Sequence, residues 1–311
     1  FAAAHGDIVS LGEERLFVRR RTTQPGKVAL ISGGGSGHEP LHAGFVGRGM
    51  LDAACPGHVF TSPTPNQMLA AAEAVETGAG VLFIVKNYSG DMMNFQLAAE
   101  LLDRDHATVI VNDDVAVENS TYTTGRRGVA GTLIVEKMVG AAAERGDKLA
   151  ALKTLGEAVN KATASMGVAL TSCTVPAAGQ PTFQLAEDEM EMGVGIHGEP
   201  GRRRVKLTGA DEIAAELTGA ILKDLSPRRG QEVILLVNGF GGTPVLELYV
   251  MVHAVRKLLA EAGVKVVRYL TGAYVTSLDM AGCSVTVTAV DSDTLALWDA
   301  PVHTAALRWG M

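Results

Sequence analysis

GGGSGHEPLH, residues 33–42, follows the short apolar run Val28–Ile31. Its reading decides the fold class, because three different kinds of protein place a strand before such a stretch. A dinucleotide-binding turn needs G-x-G-x-x-G, but counting from Gly33 the sixth residue is His38, and from Gly35 it is Pro40. A phosphate loop of the Walker type needs Gly-Lys-Ser/Thr, and the Gly26-Lys27 pair runs into Val28. His38-Glu39-Pro40-Leu41-His42 does match H-E-x-x-H, in which two histidines one helical turn apart share zinc. Proline lacks an amide N–H and clashes with the carbonyl four residues back, so it belongs in the first turn of a helix. A helix starting at Pro40 leaves His38 in the preceding loop, and the two histidines share no face. What survives is a strand ending in a glycine-rich turn that carries a histidine to the carboxyl edge of a sheet, where α/β proteins bind ligands.

Outward from that turn, short β-rich runs alternate with helical patterns. The runs are Val28–Ile31, Val81–Val85, Thr108–Val111, Val168–Leu170, Val233–Val237, Val264–Tyr269 and Val285–Val290. Apolar residues at three- and four-residue spacing predict helices over Asn66–Glu76, Thr132–Glu144, Lys148–Met166, Ala210–Leu222 and Pro244–Ala262. The alternation predicts an α/β protein with strands buried on both faces. Turn chemistry between Cys173 and Gly201 separates two sets of strands, so the expected organisation is two α/β domains, each a sheet flanked by helices. The first, 1–167, carries the glycine-rich loop, His38 and Asp91; the second, 168–311, carries His197, and the apolar tail 295–311 is expected to pack back on the first.

Composition narrows the function. The 311 residues are 47% hydrophobic and 20% charged with a net charge of −7, and no basic block exceeds Arg202–Arg204. That excludes the electrostatic footprint of a nucleic-acid or anionic-membrane binder and favours a small-molecule ligand. Cys55, Cys173 and Cys283 are odd in number and widely spaced, which argues against a disulfide framework or a cysteine metal site and for a reducing, cytoplasmic compartment. No apolar run approaches the roughly 20 residues that span a bilayer. A chain opening on Phe1 rather than Met also suggests that part of the native N-terminus precedes this numbering.

Further segments carry polar residues to rim positions. Lys86-Asn87-Tyr88-Ser89-Gly90-Asp91 follows the run Val81–Val85 and would place a lysine and a carboxylate near His38, although Asp91 also reads as a helix cap. Ser62, in Thr61-Ser62-Pro63-Thr64-Pro65, is a hydroxyl donor or a cap. Asn112-Asp113-Asp114 is a further rim element or a turn. Gly193–Gly201 packs His197 between four glycines. Its first six residues spell G-x-G-x-x-G, but the run before them is acidic and Met-rich, and Pro200-Gly201 breaks any helix after them.

Nine runs occur in collinear order: SGGGSGHEP, CPGHVFTSPTP, KNYSGDMMNF, DDVAV, GRRGVAGT, CTVPAAG, GVGIHGEPG, TSLDM and LALWDAPVHT. Over essentially the whole chain they resemble the dihydroxyacetone kinase family, in its dihydroxyacetone-binding subunit or domain. The resemblance implies that His197 adds covalently to the substrate carbonyl as a hemiaminal. It implies that His38 and Asp91 are acid/base residues and that Gly35, Ser36, Gly37 and Lys86, with Ser62, bind substrate. It also implies a homodimer and a separate all-helical domain or subunit that holds ADP or ATP with magnesium, so no cofactor or metal is expected on this chain. The expected function is that of a substrate-binding kinase subunit that meets its donor subunit transiently. Two alternatives stay open: a non-catalytic ketone-sensing coactivator, which would need only the anchoring histidine, and a kinase for a four-carbon ketose such as erythrulose. The choice between His38 and Asp91 as general base, and the ultimate phosphoryl donor, also stay open.

Overall fold

A computed structural model describes residues 1–117, 125–199 and 201–311. The chain folds into two compact units, and both are discontinuous in sequence. The first comprises residues 1–111, 132–160 and 292–311, and the second comprises 112–131 and 161–291. A single cut near residue 168 therefore does not describe the chain. Residues 112–131 belong to the second unit although they precede that point, and the tail 292–311 belongs to the first.

The first unit begins with β1 (Val9–Leu11), β2 (Val18–Arg20) and β3 (Ala29–Ser36), followed by a short β4 (Gly47–Arg48) and β5 (Ala53–Val59). Then come α1 (Pro65–Val75), β6 (Val81–Lys86), α2 (Ser89–Leu101) and β7 (His106–Val111). The main sheet runs β1-β2-β5-β3-β6-β7. β5, β3, β6 and β7 are mutually parallel, so their carboxyl ends share one edge. Ile31, Phe83 and Val85 point to one face, where they pack with Met68 and Ala72 of α1 and Phe95 and Ala98 of α2. α3 (Gly131–Arg145) and α4 (Leu149–Lys161) come next, and Gly156 of α4 lies against Val109, which shares the opposite face with its β6 neighbour Ile84. β3 and β6 are buried on both faces, as their unbroken apolar runs predict, whereas β7 at the sheet edge leaves Ile110 exposed.

The second unit adds β8 (Thr163–Ala169), β9 (Glu189–Met192), β10 (Arg203–Lys206), α5 (Ala210–Leu225), β11 (Glu232–Gly239), α6 (Val245–Glu261), β12 (Lys265–Gly272) and β13 (Gly282–Val290). Its sheet runs β10-β9-β8-β13-β11-β12, and only β11 and β12 pair in parallel. One face is apolar, with Met166, Val168, Val233, Leu235, Val237, Val285 and Val287 under Leu217 and Ile221 of α5 and Leu248 and Val255 of α6. The other face carries buried hydroxyls in cross-strand pairs, Thr163 with Thr288 at 3.0 Å and Ser165 with Thr286 at 2.7 Å. β12 is an edge strand whose side chains are largely half-exposed, Tyr269 among them, and departs from the expectation of double-sided burial. The chain then returns to the first unit through α7 (Ser292–Asp299), β14 (Val302–Thr304) and β15 (Arg308–Trp309), with β14 pairing antiparallel to β4.

Two local readings change, and one strand, β5, lies outside the runs read from the sequence. The helix over Lys148–Met166 stops at Lys161, because residues 163–169 pair with β13 from Thr288 back to Gly282, and those ladder bonds outweigh the helical preference of Ala164 and Met166. β5 is a strand despite Pro56 and Gly57. Its pairing to β2 ends at Ala54, so the missing proline N–H faces no ladder on that side. No helix begins at Pro40; residues 39–42 form turns, and only one 3-10 turn, Ala43–Phe45, comes after them. Pro200 lies outside the described residues.

Candidate functional site

In the first unit, the carboxyl ends of β3 and β6 bring His38, Lys86 and, through the first turn of α2, Asp91 to one region. Lys86 is the last residue of β6 and is buried, with its ammonium 3.2 Å from the Gly33 carbonyl, 2.8 Å from His42 Nε2 and 3.5 Å from Asp91 Oδ2. Three acceptors match the three donors of an ammonium. A side chain on Gly34 would overlap Lys86 Nζ, so the glycine is what lets the ammonium lie against the strand.

Asp91 does not cap its helix. α2 starts at Ser89, and Asp91 sits in the first turn, where the helix N-terminus favours a carboxylate. Its Oδ2 faces Lys86, while Oδ1 is buried with no hydrogen-bond partner among the described residues. A buried carboxylate oxygen without a donor is costly in a finished structure and is a ready acceptor for a ligand hydroxyl. His38 is also buried and stacks on Phe60 with ring centroids 5.0 Å apart. Ser62 precedes α1 without capping it, since the amide of Thr64 is bonded to Gln67 Oε1; instead its hydroxyl lies against Gly90, beside Asp91. Ser36 donates its hydroxyl to the Gly57 carbonyl, and the Gly37 amide donates to Glu39 at 2.9 Å, so both shape the loop. Gly35 ends the run of three glycines against the backbone of Phe60 and Thr61.

His42, the second histidine of the H-E-x-x-H match, is buried, and its Nδ1 lies 2.7 Å from Glu136 Oε1 on α3 and 3.0 Å from Ser32 Oγ. Burial, with the charges of Lys86 and His38, pushes its pKa well below the usual histidine range, so the ring is neutral. Burial also pushes Glu136 up to about 8, against the opposing pull of Lys86 and Ser32. Among the described residues, no group of three or more His, Cys, Asp or Glu is placed to hold a metal.

In the second unit, β9 ends at Met192 and the glycine-rich run continues as a loop, so the G-x-G-x-x-G spelling opens no helix. His197 Nδ1 lies 3.0 Å from Glu199 Oε1, and its backbone amide donates to Glu199 Oε2 at 3.0 Å. Burial raises the Glu199 carboxyl, but the hydrogen bond and charge of His197 and the charge of Arg127 outweigh it and bring it to about 2. An ionised carboxylate only accepts, so the His197 Nδ1 that faces it carries a hydrogen. Glu199 folds over Gly195, where any Cβ would overlap its carboxylate.

Arg127, which in the sequence stands out only as part of GRRGVAGT, organises this loop. It donates to Asp114 Oδ2 and to the Gly193 carbonyl, both at 2.7 Å, and its other terminal nitrogen lies 4.0 Å from Glu199. Asp114 is buried and is raised by desolvation to about 6, against the pull of Arg127. Asp113 accepts the amides of Val129 and Gly131 and the Ser165 hydroxyl. Asp113 and Asp114 thus form a buried anchor for the loop at 127–131, while Asn112 before them is exposed.

The Dak1 domain profile matches residues 1–306. The dihydroxyacetone-binding subunit DhaK of the PEP-dependent dihydroxyacetone kinase of Escherichia coli (strain K12) is 49% identical, with 99% of this chain and 94% of that protein covered. The corresponding subunit of the PTS-dependent dihydroxyacetone kinase 1 of Listeria innocua is 52% identical, over 93% of this chain and 89% of its own. Among solved structures, the dihydroxyacetone kinase operon co-activator Dha-DhaQ superposes with a TM-score of 0.92 at 35% identity, covering 96% of this chain and 94% of that one. A match over nearly the full length, with relatives at about half identity, places the chain in a family: it belongs to the Dak1 domain family.

Proposed function

We propose that this chain is the dihydroxyacetone-binding subunit of a dihydroxyacetone kinase, that it holds the ketone as a hemiaminal on His197, and that a separate helical subunit bearing ADP or ATP with magnesium completes phosphoryl transfer. The observation that carries this reading is the Glu199 carboxylate 3.0 Å from His197 Nδ1, an acceptor that favours a hydrogen on that nitrogen and so, in the neutral ring, a nucleophilic lone pair on Nε2. Addition forms a bond from Nε2 to the ketone carbon while the carbonyl π pair moves to oxygen. The oxygen takes up a proton and the ring gives up the one on Nδ1 toward Glu199, so that in sum N–H adds across C=O. The attacking nitrogen then has no proton left to lose, so water cannot depart to give a neutral imine.

Phosphoryl transfer also needs an acceptor for the proton of the attacking hydroxyl. Asp91 Oδ1 suits that role, being a buried acceptor with no donor of its own among the described residues, while Oδ2 stays paired with Lys86. General-base assistance of this kind contributes roughly 10²–10⁴ in rate. His38, on the loop after β3, then serves as the second acid/base group. The names of the relatives support phosphoenolpyruvate as the ultimate donor through a phosphotransferase system, and the family resemblance supports a cytoplasmic homodimer.

Intact-mass measurement under soft ionisation tests the anchor. Wild type incubated with dihydroxyacetone should gain one whole ketone mass with no loss of water, and neither wild type with glycerol nor His197→Ala with the ketone should gain any. An adduct that persists in His197→Ala, or that has lost water, overturns the reading. The structural likeness to a co-activator makes sensing the second reading, and it predicts the adduct without turnover. Rates on dihydroxyacetone and erythrulose, measured with the donor components present, separate both alternatives from the proposal.

A further inference from the structure

Beneath the glycine-rich loop lies a chain of buried polar groups that the proposed chemistry leaves unexplained. Lys86 Nζ contacts His42 Nε2 at 2.8 Å, His42 Nδ1 contacts Glu136 Oε1 at 2.7 Å, and all three residues are buried. One constraint fixes the proton on the ring. An ammonium can only donate, so His42 Nε2 must present its lone pair to Lys86. Ser32 Oγ, 3.0 Å from Nδ1 and 2.6 Å from the Ile84 carbonyl, can accept from the ring when its own proton goes to that carbonyl. Nδ1 therefore carries the hydrogen and shares it between Ser32 Oγ and Glu136 Oε1. That oxygen accepts whether the carboxyl is ionised or carries a proton on Oε2. Were the tautomer reversed, Nε2–H would meet the ammonium donor to donor, and Glu136 would lose the hydrogen bond it now accepts.

We infer that Glu136 is a positioning residue of this site: by accepting from His42 Nδ1 it holds the lone pair of Nε2 on Lys86 and so fixes the ammonium that pairs with Asp91. Its effect passes through two residues to the carboxylate that takes the substrate proton. The activity arm of the test rests on the kinase reading; the spectroscopic arm does not. The titratable and charged groups facing the cluster are Lys86 of β6, Asp91 of α2, His38 and His42 of the loop after β3, and Glu136 of α3.

The direct measurement is a nitrogen-15 spectrum of the histidine-labelled full chain, with the His42 signals assigned by their absence in His42→Gln. At neutral pH, His42 should show a protonated Nδ1 and an unprotonated Nε2. The opposite tautomer, or a doubly protonated ring, overturns the inference. For activity, the chain is combined with the other components of the Escherichia coli enzyme, with dihydroxyacetone as acceptor and phosphoenolpyruvate as donor. Glu136→Leu should lower kcat by about tenfold or more, as expected when a buried donor loses its acceptor. Glu136→Gln keeps an acceptor oxygen in the same place and should restore turnover to within a few-fold of wild type. A leucine variant with wild-type kcat and KM, or a glutamine variant as poor as the leucine one, refutes the positioning role. If Glu136→Leu fails to fold, the wild-type spectrum and the glutamine variant still decide. Absence of turnover by wild type, with the expected His42 spectrum, sinks the kinase reading and leaves the positioning network standing.

Discussion

Adding one methyl group at Gly34 should disable this site with only a moderate loss of stability. In β3 a Cβ there would overlap Lys86 Nζ and lie 3.4 Å from both Lys86 Cε and His42 Nε2. The backbone itself can accept alanine, since Gly34 is not among the residues at positive φ. The ammonium must withdraw by about 1 Å to reach ordinary contact, and the His42 and Gly33 bonds at 2.8 and 3.2 Å cannot both survive that move. Losing one hydrogen bond to a charged group costs about 1.5–3 kcal/mol. Full separation of the buried Lys86–Asp91 pair would cost about 3–5 kcal/mol, but a flexible lysine relaxes, so the lower range applies. With a urea slope of roughly 1–3 kcal/mol/M, the unfolding midpoint should fall by roughly 1 M. Turnover should fall much further, on the order of 100-fold, because Asp91 loses the cation that orients it. Gly219→Ala is the control: it lies in α5 with open space around it and should stabilise by about 0.5–1 kcal/mol. A Gly34→Ala protein with wild-type turnover and midpoint would show that the ammonium does not occupy the place assigned to it.

Two further outcomes are expected. Gly195→Ala should evict the Glu199 carboxylate, so the ketone adduct of His197 falls about tenfold or more in intact-mass titrations while the unfolding midpoint changes far less; an unaltered adduct yield would refute the tautomer argument. Glu136 is raised to about 8 in the fold against a usual 4.5. Between those values the folded chain binds the extra proton, so Glu136 lowers stability as pH rises through that window. Glu136→Gln should remove part of that decline in urea titrations across it, and an unchanged pH dependence would count against the raised carboxyl.

The carboxyl edge of the first sheet is legible in the sequence because its signals are local. Val28–Ile31 and Val81–Val85 are unbroken apolar runs, and the segments after them, GGGSGH and KNYSGD, are visibly polar and turn-forming. The partners of those residues are not legible, because each lies far along the chain. Glu136, next to Lys137, looks like an ordinary polar residue in a largely apolar helix, and only the packing of α3 shows that it meets a histidine 94 positions earlier. His42 stands in the sequence solely as half of a zinc pair; Pro40 argues against the zinc, but nothing local shows what a buried imidazole does instead. Arg127 and Glu199 are similar cases, joined through a loop whose glycines allow a close approach that composition cannot specify. The overrun of the helix at 148–166 has the same origin, since Ala164 and Met166 join a strand over 163–169 only when β13 lies beside it.

The interleaving of the two units sets an order on how the chain can mature as it is synthesised. β4 emerges early, yet its partner β14 is made some 250 residues later, with His303 opposite Arg48 and Thr304 opposite Gly47. The whole of 161–291 must leave the ribosome before the first unit can close its small sheet. The unit that is begun first is therefore the last to be finished, and its lysine–aspartate pair waits inside an incomplete body until residues 292–311 arrive.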